Sequence, residues 1–467
     1  MIKDDKKILF LNSALTIENP YISTEEALEW LKTENERINV NIEEIKFSEM
    51  PDWYFDEATG NLRHVSGKFF SIEGIHVKTN WGKIPEWTQP IINQPEVGYL
   101  GIITKRFNGI LYFLMQAKIE PGNINYVKLS PTIQATRSNY SQVHKGKRPL
   151  YLEYLNGEKK SRVLLDQLQS EQGARFLRKR NRNIIIEIED EIEIYENFRW
   201  LTLGQIKKMM MNDNVVNMDT RTVISCIPFD VENFEDVGES KGYENDLLRS
   251  FIDKDNCLNE TDEIISWITK IKSKYDLDVR QIPLKDVKNW SKDDYSIYHD
   301  DKKYFSVIAV NVHIDNREVK SWSQPLIKSA QEGIIAFLIK KINGVYHFLV
   351  QAKLEAGNFD IIELAPTLQC LTGNYRKGLS EYEPEFLNYV LNVDKKQILY
   401  SAYQSEEGGR FYREQNKNLI IEVDENFPVE VPENFIWMTL NQIQVFLKFN
   451  NYLNIEARSL ISSARFI

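Results

Sequence analysis

A long polar segment of this chain occurs twice, and this duplication constrains the fold more than any other feature of the sequence. Residues 116–140 read QAKIEPGNINYVKLSPTIQATRSNY, and residues 351–375 read QAKLEAGNFDIIELAPTLQCLTGNY without a gap. The positions that recur are mainly polar groups at fixed spacing, together with a glycine. A shared core would preserve only apolar character, so these matches predict a binding surface that is kept in duplicate.

The repetition extends over most of the chain. Residues 22–225 recur as residues 259–462 at a nearly constant offset, which carries Trp30 onto Trp267. Units of about 200 residues are far longer than solenoid repeats, so we predict a tandem duplication of a whole domain. The predicted domains are a first repeat at 1–228, a linker with one short helix at 229–258, and a second repeat at 259–467.

Helix and strand signals are mixed within each repeat. A threonine followed by acids predicts a capped helix at Thr24, and Thr202 opens another near the end of the first repeat. Between them, Asn108-Gly109 separates two apolar runs, which is a strong hairpin signal and recurs at Asn343-Gly344. This mixture predicts an α+β fold and not a parallel array of βαβ units.

Composition and missing motifs exclude several classes of protein. The net charge of −10 argues against a general nucleic-acid or bilayer binder. The three cysteines form no CxxC pair, so neither a disulfide framework nor a zinc site is predicted. The N-terminus shows no apolar signal segment, and the P-loop, Rossmann, serine-hydrolase and zinc-protease motifs are absent. We therefore expect a cytoplasmic protein.

Two duplicated blocks carry candidate site residues. In the first, Gly122 and Gly357 predict a positive φ or a close backbone approach, and turn chemistry alone does not explain the preserved Lys118 and Glu120. In the second, glycine and arginine suit an anion approached by backbone N–H groups. The candidate residues of this second block are Ser170 and Arg175 in the first repeat and Glu406, Glu407, Gly408, Gly409 and Arg410 in the second.

A third block has diverged between the repeats. Its candidate residues are Thr136, Arg137, Ser138, Asn139 and Tyr140 in the first repeat and Thr372, Gly373, Asn374 and Tyr375 in the second. The arginine suits a phosphate, the serine and asparagine suit a sugar or base, and the tyrosine can donate a proton. The second repeat lacks the arginine and the serine, so the two sites are predicted to differ in function.

Trp53 and Trp290 recur in polar surroundings. A tryptophan retained there suits stacking on a nucleobase, and packing of a half-buried residue explains it equally well. The recurring His64 and His299 are interpreted as structural.

Together these blocks resemble the NDP-hexose 2,3-dehydratases of deoxysugar biosynthesis. The resemblance rests on WTQP, QAKIEPGN, SPTIQATRSNY and SEQGARF, and on WSQP, QAKLEAGN, APTLQCLTGNY and QSEEGGRFY in the second repeat. It implies a Nudix-like domain in each repeat (a mixed sheet flanked by helices), a homodimer, and no cofactor. The implied substrate is a dTDP-linked 4-keto-6-deoxyhexose, which loses its C-2 hydroxyl to give a 3,4-diketo-2,6-dideoxy sugar.

The metal-binding box of Nudix hydrolases is incomplete in both repeats. That box reads Gly-x5-Glu-x7-Arg-Glu-x2-Glu-Glu. After Gly357 only its first acid remains, as Glu363, and after Gly122 Lys128 stands in place of that acid. Without clustered carboxylates we predict no metal site, and hence binding of a nucleoside diphosphate without its hydrolysis.

Elimination of the C-2 hydroxyl needs a base for the C-3 proton, a donor for the enolate oxygen at C-4, and an acid for the leaving hydroxyl. We predict Lys118, Glu120, Tyr140 and His144 as catalytic residues, which places turnover in the first repeat and nucleotide binding without turnover in the second. The alternative is a non-catalytic nucleotide-sugar-binding protein. The sequence leaves open whether one repeat completes the pocket of the other.

Overall fold

The computed structural model describes residues 5–136, 148–231, 242–315, 319–371 and 383–466, in two halves with the same order of elements. The first half contains α1 (Lys6–Ala14), α2 (Thr24–Glu36), β1 (Val40–Ile45), β2 (Trp53–Phe55), β3 (Leu62–His64), β4 (Ser71–Thr79), β5 (Glu86–Asn93), β6 (Gly98–Phe107), β7 (Ile110–Ile119), β8 (Val127–Ser130), β9 (Ile133–Ala135), α3 (Leu152–Leu155), β10 (Arg162–Ser170), β11 (Arg180–Glu187), β12 (Phe198–Thr202), α4 (Leu203–Met209) and α5 (Met218–Ser225). The second half contains α6 (Tyr243–Ile252), α7 (Thr261–Lys274), β13 (Leu277–Ile282), β14 (Trp290–Lys292), β15 (Ser296–His299), β16 (Phe305–Ile314), β17 (Ser321–Ser329), β18 (Gly333–Ile342), β19 (Val345–Lys353), β20 (Glu363–Ala365), β21 (Leu368–Leu371), α8 (Leu387–Leu391), β22 (Ile398–Ser405), β23 (Gln415–Glu422), β24 (Phe435–Thr439), α9 (Leu440–Leu447) and α10 (Ile455–Ser462).

Within the described residues, each half is built on a seven-stranded mixed sheet. In the first half the strands lie in the order β10-β11-β6-β7-β12, with β8 paired to β7 and β9 paired to β6. The second half repeats this arrangement as β22-β23-β18-β19-β24, with β20 on β19 and β21 on β18. In each sheet one central pair is parallel, and the remaining pairs are antiparallel. The α+β prediction is confirmed, and the two like halves agree with a tandem duplication.

The two halves also exchange a strand. β1 of the first half pairs with β16 of the second, from Val40 opposite Ile314 to Ile45 opposite Ala309. In return, β13 of the second half pairs with β4 of the first. Each five-stranded small sheet therefore contains one strand from the other half. The sequence does not predict this exchange, because the pattern of a single edge strand does not show which sheet it joins.

The helix α6 lies within residues 229–258, where a linker with one short helix was predicted, and it packs on the second large sheet. Its position matches that of α1 on the first large sheet. Ser13 of α1 donates to the carbonyl of Leu111 on β7, and Ser250 of α6 donates to the carbonyl of Tyr346 on β19. The predicted domain boundaries stay a prediction, and this equivalence favours counting α6 with the second half.

The predicted turns and helix starts are confirmed with one exception. Asn108 and Gly109 have φ values of 50° and 84°, which match the twist of the strands they connect. The Thr202 side chain caps α4 by accepting the N–H of the third helical residue. The predicted cap at Thr24 is wrong by one residue, because Ser23 accepts the N–H of Glu26 and Thr24 is the first residue of α2.

The two halves meet along α5 and α10, which pack against each other. Each helix is capped by an asparagine, Asn217 or Asn454, and each carries an acid in its first turn, Asp219 or Glu456. These acids are thereby placed at the junction of the halves. None of the helices described is both long enough and apolar enough to span a bilayer.

Candidate functional site

The duplicated turn of each half docks into the glycine-arginine loop of the other half. The N–H of Gly122 donates to the carbonyl of Gly408 at 2.7 Å, and Gly357 donates to Gly173 at the same distance. A Cβ on Gly122 would lie 1.7 Å from the carbonyl oxygen of Phe411. The glycine is therefore required by a close backbone approach, which was one of the two predicted reasons. Each half therefore contributes residues to the candidate site of the other, a possibility that the sequence left open.

This docking assembles two polar clusters, which we call centre I and centre II. Centre I comprises Lys118, Glu120, Gln134 and Asp219 from the first half and Glu407 and Arg410 from the second. One carboxylate oxygen from each of the three acids lies within 4.8 Å of the other two. Glu120 and Asp219 are 4% and 3% exposed, and Glu407 is half-buried. Three carboxyl groups thus share a space from which most water is excluded.

A chain of amide side chains orients the carboxylate of Glu120. Asn217 Nδ2 donates to Gln134 Oε1 at 3.2 Å, and Gln134 Nε2 donates to Glu120 Oε1 at 2.5 Å. Lys118 Nζ donates to the backbone carbonyl of Gln134 at 3.4 Å. Among the described residues, the second oxygen of Glu120, Oε2, accepts no hydrogen bond. That oxygen is free to take up a proton.

Burial and mutual repulsion hold protons on this cluster. Burial, followed by the charges of Glu120 and Glu407, raises the pKa of Asp219 well above its ordinary value. Burial and the Glu120 carboxylate also raise the pKa of Glu407. Lys118 beside Asp219 and Arg410 beside Glu407 act in the opposite direction. A neutral carboxyl therefore lies beside one that can be charged, which is the arrangement that acid–base catalysis requires.

Centre II has the same arrangement of corresponding side chains, with the contributions of the two halves reversed. It comprises Lys353, Glu355, Gln369 and Glu456 from the second half and Gln172 and Arg175 from the first. Its amide chain runs from Asn454 to Gln369 at 2.7 Å and from Gln369 to Glu355 at 3.1 Å. Charge differs at one corresponding pair of positions within the centres and at two pairs beside them. With the centre I residue first, these pairs are Glu407 and Gln172, Lys128 and Glu363, and Lys179 and Glu414. Centre I is therefore the more favourable of the two for an anionic substrate.

The two loop arginines that were predicted to meet a diphosphate lie at the interface between the halves. The guanidinium of Arg410 stacks 4.1 Å from the ring of Phe70, and its Nε donates to Gln94 Oε1 at 3.2 Å. Arg175 stacks 4.3 Å from the ring of Phe305. Each arginine thus rests on a ring of the other half and remains half-buried. Contact of either with a diphosphate stays a prediction.

Other loop residues predicted to bind substrate have partners within the protein. Ser170 is buried and donates to Glu363 Oε2 at 2.8 Å. Glu406 is also buried and accepts hydrogen bonds from two side-chain amides. The N–H of Gly409 donates to Oε1 of Glu407 at 2.9 Å. These contacts stabilise the interface and centre I, and direct contact with substrate stays a prediction.

The two recurring tryptophans lie in the cores of the small sheets. Trp53 is 6% exposed and packs on Phe70. Trp290 is half-buried and packs on Phe305. A histidine lies edge-on against each indole, in agreement with the structural interpretation of those histidines. This packing accounts for both tryptophans, and stacking on a nucleobase stays a prediction.

Several predicted site residues lie outside the described part of the chain. They are Arg137, Ser138, Asn139, Tyr140 and His144 in the first half and Thr372, Gly373, Asn374 and Tyr375 in the second. Thr136 is described and lies half-buried directly after β9, two residues from Gln134 of centre I. The roles assigned to all of these residues stay predictions.

Sequence reasoning missed Asp219 and Gln134, which are remote from Glu120 along the chain. The duplication contained a signal for both. Gln134 recurs as Gln369, and Asp219 recurs as Glu456, an acid two residues before an arginine that also recurs. A polar match between the repeats was therefore informative wherever it occurred.

The carboxylates of centre I correct the expectation that the chain lacks clustered acids. That expectation considered only the helix that follows the glycine of the Nudix box. Glu120 precedes Gly122, Asp219 comes from α5, and Glu407 comes from the other half. Folding brings together acids that no local motif connects. The prediction of a metal-free site is a separate matter and stays a prediction.

Comparison with known proteins identifies the class to which this fold and site belong. The family model of the NDP-hexose 2,3-dehydratases matches residues 24–227 and again residues 261–464. The chain belongs to this family.

Individual relatives carry a more specific name. The chain is 46% identical to the dTDP-4-dehydro-6-deoxy-alpha-D-glucopyranose 2,3-dehydratase of Saccharopolyspora spinosa, over 97% of this chain and 94% of that protein. It is 42% identical to the enzyme of the same name from Amycolatopsis orientalis, over 96% of this chain and 92% of that protein. The Streptomyces violaceoruber enzyme of that name is 41% identical, over 89% of this chain and 91% of that protein.

Proposed function

We propose that this chain is a dTDP-4-keto-6-deoxyglucose 2,3-dehydratase, a hydro-lyase that carries out its reaction in centre I. The observation that carries the proposal is the convergence of Glu120, Asp219 and Glu407 beside Lys118, in a chain of this family. Removal of water from a keto sugar consists of proton transfers around one developing negative charge. Three carboxyl groups and one ammonium group supply those transfers and stabilise that charge.

The first step is loss of the C-3 proton, which the neighbouring 4-keto group makes acidic. Glu120 is the base, since Gln134 holds its Oε1 while its Oε2 has no hydrogen-bond partner among the described residues. The electron pair of the C3–H bond forms a C3=C4 double bond, and negative charge moves to the oxygen at C-4. The ammonium group of Lys118 stabilises that enolate oxygen.

The second step expels the C-2 hydroxyl. The C-4 carbonyl forms again, the double bond moves between C-2 and C-3, and the C2–O bond breaks. Asp219, kept neutral by burial and by its acidic neighbours, donates its proton so that the hydroxyl leaves as water. Asp219, now ionised, accepts the proton of the enol oxygen at C-3, while Glu407 protonates C-2. The proton that Glu120 took from C-3 then passes to Glu407, which restores the starting state of the three acids. The product is the 3,4-diketo-2,6-dideoxy sugar, and no electrons are gained or lost overall.

Further parts of the account stand as proposals beside this one. We propose that Tyr140 and His144 take part in the same proton transfers, and that centre II binds nucleotide without turnover. We also propose a Nudix-like topology for each half, a homodimer, and a cytoplasmic location in keeping with a nucleotide-sugar substrate. The resemblance of the duplicated motifs supports the Nudix-like topology and the homodimer.

Incubation of the purified chain with dTDP-4-keto-6-deoxyglucose tests the proposed function. In deuterated water, proton NMR is expected to show loss of the H-3 signal and deuterium at C-2 of the product, because both positions exchange protons with the site. Calorimetry under the same conditions measures binding separately. A chain that binds the nucleotide sugar but leaves its C-2 hydroxyl in place is the non-catalytic binding protein, and the proposed function is then wrong.

Turnover is expected to survive removal of divalent metal. Lys118 and Arg410 already place positive charge beside the carboxylates of centre I, and the proton transfers need no Lewis acid. Rates are measured after dialysis against EDTA and again with added magnesium. If activity is lost on chelation and magnesium restores it, the three carboxylates hold a metal and the metal-free prediction is wrong.

A further inference from the structure

One buried position carries opposite charge in the two halves. Lys128 on β8 lies opposite Lys118 in the pairing of β7 with β8, and Glu363 on β20 lies opposite Lys353 in the corresponding pairing. Lys128 is 0% exposed and Glu363 is 1% exposed. Because the side chains around this position correspond in the two halves, the opposite charge is a difference between two otherwise similar centres.

Each of these side chains is anchored by a serine of the other half. Lys128 Nζ donates to Oγ of Ser405, whereas Oγ of Ser170 donates to Oε2 of Glu363. The backbone carbonyl of each serine accepts a hydrogen bond from an arginine of α5 or α10. The two side chains are thus held at fixed positions in the interface.

The charged groups that face Lys128 come from three elements. Arg221 on α5 repels its ammonium, while Glu120 at the end of β7 and Glu406 after β22 attract it. Burial, with Arg221 next, lowers the pKa of Lys128 to about 7. About half of the Lys128 side chains therefore carry the ammonium charge at pH 7, and most carry it at lower pH, which is the range where a buried carboxylate tends to take up a proton.

The counterpart in centre II has the reverse effect. Burial raises the pKa of Glu363 to about 8, with Glu355 and Asp360 adding like charge, so that Glu363 is largely neutral at pH 7. It presents no positive charge to Glu355. When ionised, it opposes a charge there.

We propose that Lys128 is a positioning residue of centre I, whose ammonium, buried beside Glu120 and anchored by Ser405, holds Glu120 as the charged base. The inference rests on the proposed function of centre I. Besides Lys128, the charged groups of centre I around Glu120 are the acids Asp219 and Glu407 and the cations Lys118 and Arg410. A further cation, buried on the neighbouring strand, favours the ionised form of Glu120. The absence of this cation supports the proposal that centre II binds nucleotide without turnover.

The test is the pH dependence of kcat/KM for Lys128→Met, with Glu363→Gln as the matched variant in centre II. Without the ammonium, the acidic limb of the pH profile of kcat/KM is expected to move to higher pH by about one unit. On that limb kcat/KM then falls about tenfold, while its plateau at alkaline pH stays at the wild-type level. Glu363→Gln is expected to leave the acidic limb in place. Lys128→Arg, which keeps the charge, is expected to restore the wild-type limb.

A rate that falls equally at all pH values, or a limb that does not move, overturns the proposal and leaves Lys128 a structural residue. Methionine fills a similar volume without a buried charge and is expected to be tolerated, which thermal unfolding checks. If it is not tolerated, Lys128→Gln serves the same comparison.

A second measurement is independent of turnover. With glutamate labelled by ¹³C at the carboxyl, the Glu120 signal is identified by its loss in Glu120→Gln and is then followed with pH. It is expected to titrate at higher pH in Lys128→Met than in the wild type, and an unchanged titration contradicts the proposal. If the wild type shows no turnover at all, the proposed function fails, while this titration still decides the role of Lys128.

Discussion

Replacement of Glu120 by glutamine is expected to lower kcat for dTDP-4-keto-6-deoxyglucose by about 10²–10⁴-fold, the usual contribution of a well-placed general base. Glutamine keeps the shape of the side chain and its contact with Gln134, but it cannot accept the C-3 proton. Because the base acts in the transition state, binding of the nucleotide sugar is expected to change little. Steady-state kinetics and calorimetry on the same preparation separate the two effects.

Glu355→Gln is the matched control for this variant. Glu355 accepts a hydrogen bond from Gln369 as Glu120 does from Gln134, so the two substitutions disturb their surroundings alike. The control is expected to retain the wild-type kcat, since turnover is proposed for centre I alone. If Glu355→Gln abolishes turnover and Glu120→Gln retains it, the catalytic centre is the second one and the assignment is inverted.

Alanine at position 122 is expected to destabilise the folded chain by at least about 3 kcal/mol, at the upper end of overpacking effects. A Cβ there would lie 1.7 Å from the carbonyl oxygen of Phe411 and 2.7 Å from that of Gly408. Both neighbours are backbone atoms, so relief requires the two halves to move apart. Since the same turn carries Glu120, activity is expected to be lost together with stability. Denaturant unfolding followed by circular dichroism measures the change.

Gly242→Ala is the control for this effect. Gly242 has an extended backbone, and a Cβ there would meet no atom within 4 Å. Its stability is expected to stay within about 0.5 kcal/mol of the wild type, as for an ordinary surface substitution. If Gly122→Ala unfolds at the same denaturant concentration as this control, the close docking of the halves is not required for folding.

Much of the fold followed from local signals in the sequence. The Asn-Gly hairpins were predictable because few residue pairs adopt positive φ twice in succession, and the cap at Thr202 was predictable from its side-chain chemistry. The duplication predicted the two like halves. The exchange of β1 and β13 was not predictable, because strand pairing between distant segments is decided by tertiary packing and not by local pattern.

The candidate site was likewise predictable in part. Lys118, Glu120, Glu407 and Arg410 were predicted, because polar groups at fixed spacing recur in both repeats. Their combination across the two halves was not predicted, since the sequence does not show which loop faces which turn. Asp219 was missed for that reason: it joins the cluster only when α5 packs at the junction of the halves.

The central claim is that the catalytic centre is shared between the halves, and Glu407→Gln tests it most directly. This variant gives centre I the residue that centre II has at the corresponding position, Gln172. Among the described residues, it removes the one carboxyl group that the second half contributes to the three acids of centre I. The account predicts that kcat falls by about 10²-fold or more while the unfolding midpoint is unchanged. Full turnover in a folded Glu407→Gln protein would contradict it, because the first half would then supply every group that the reaction needs.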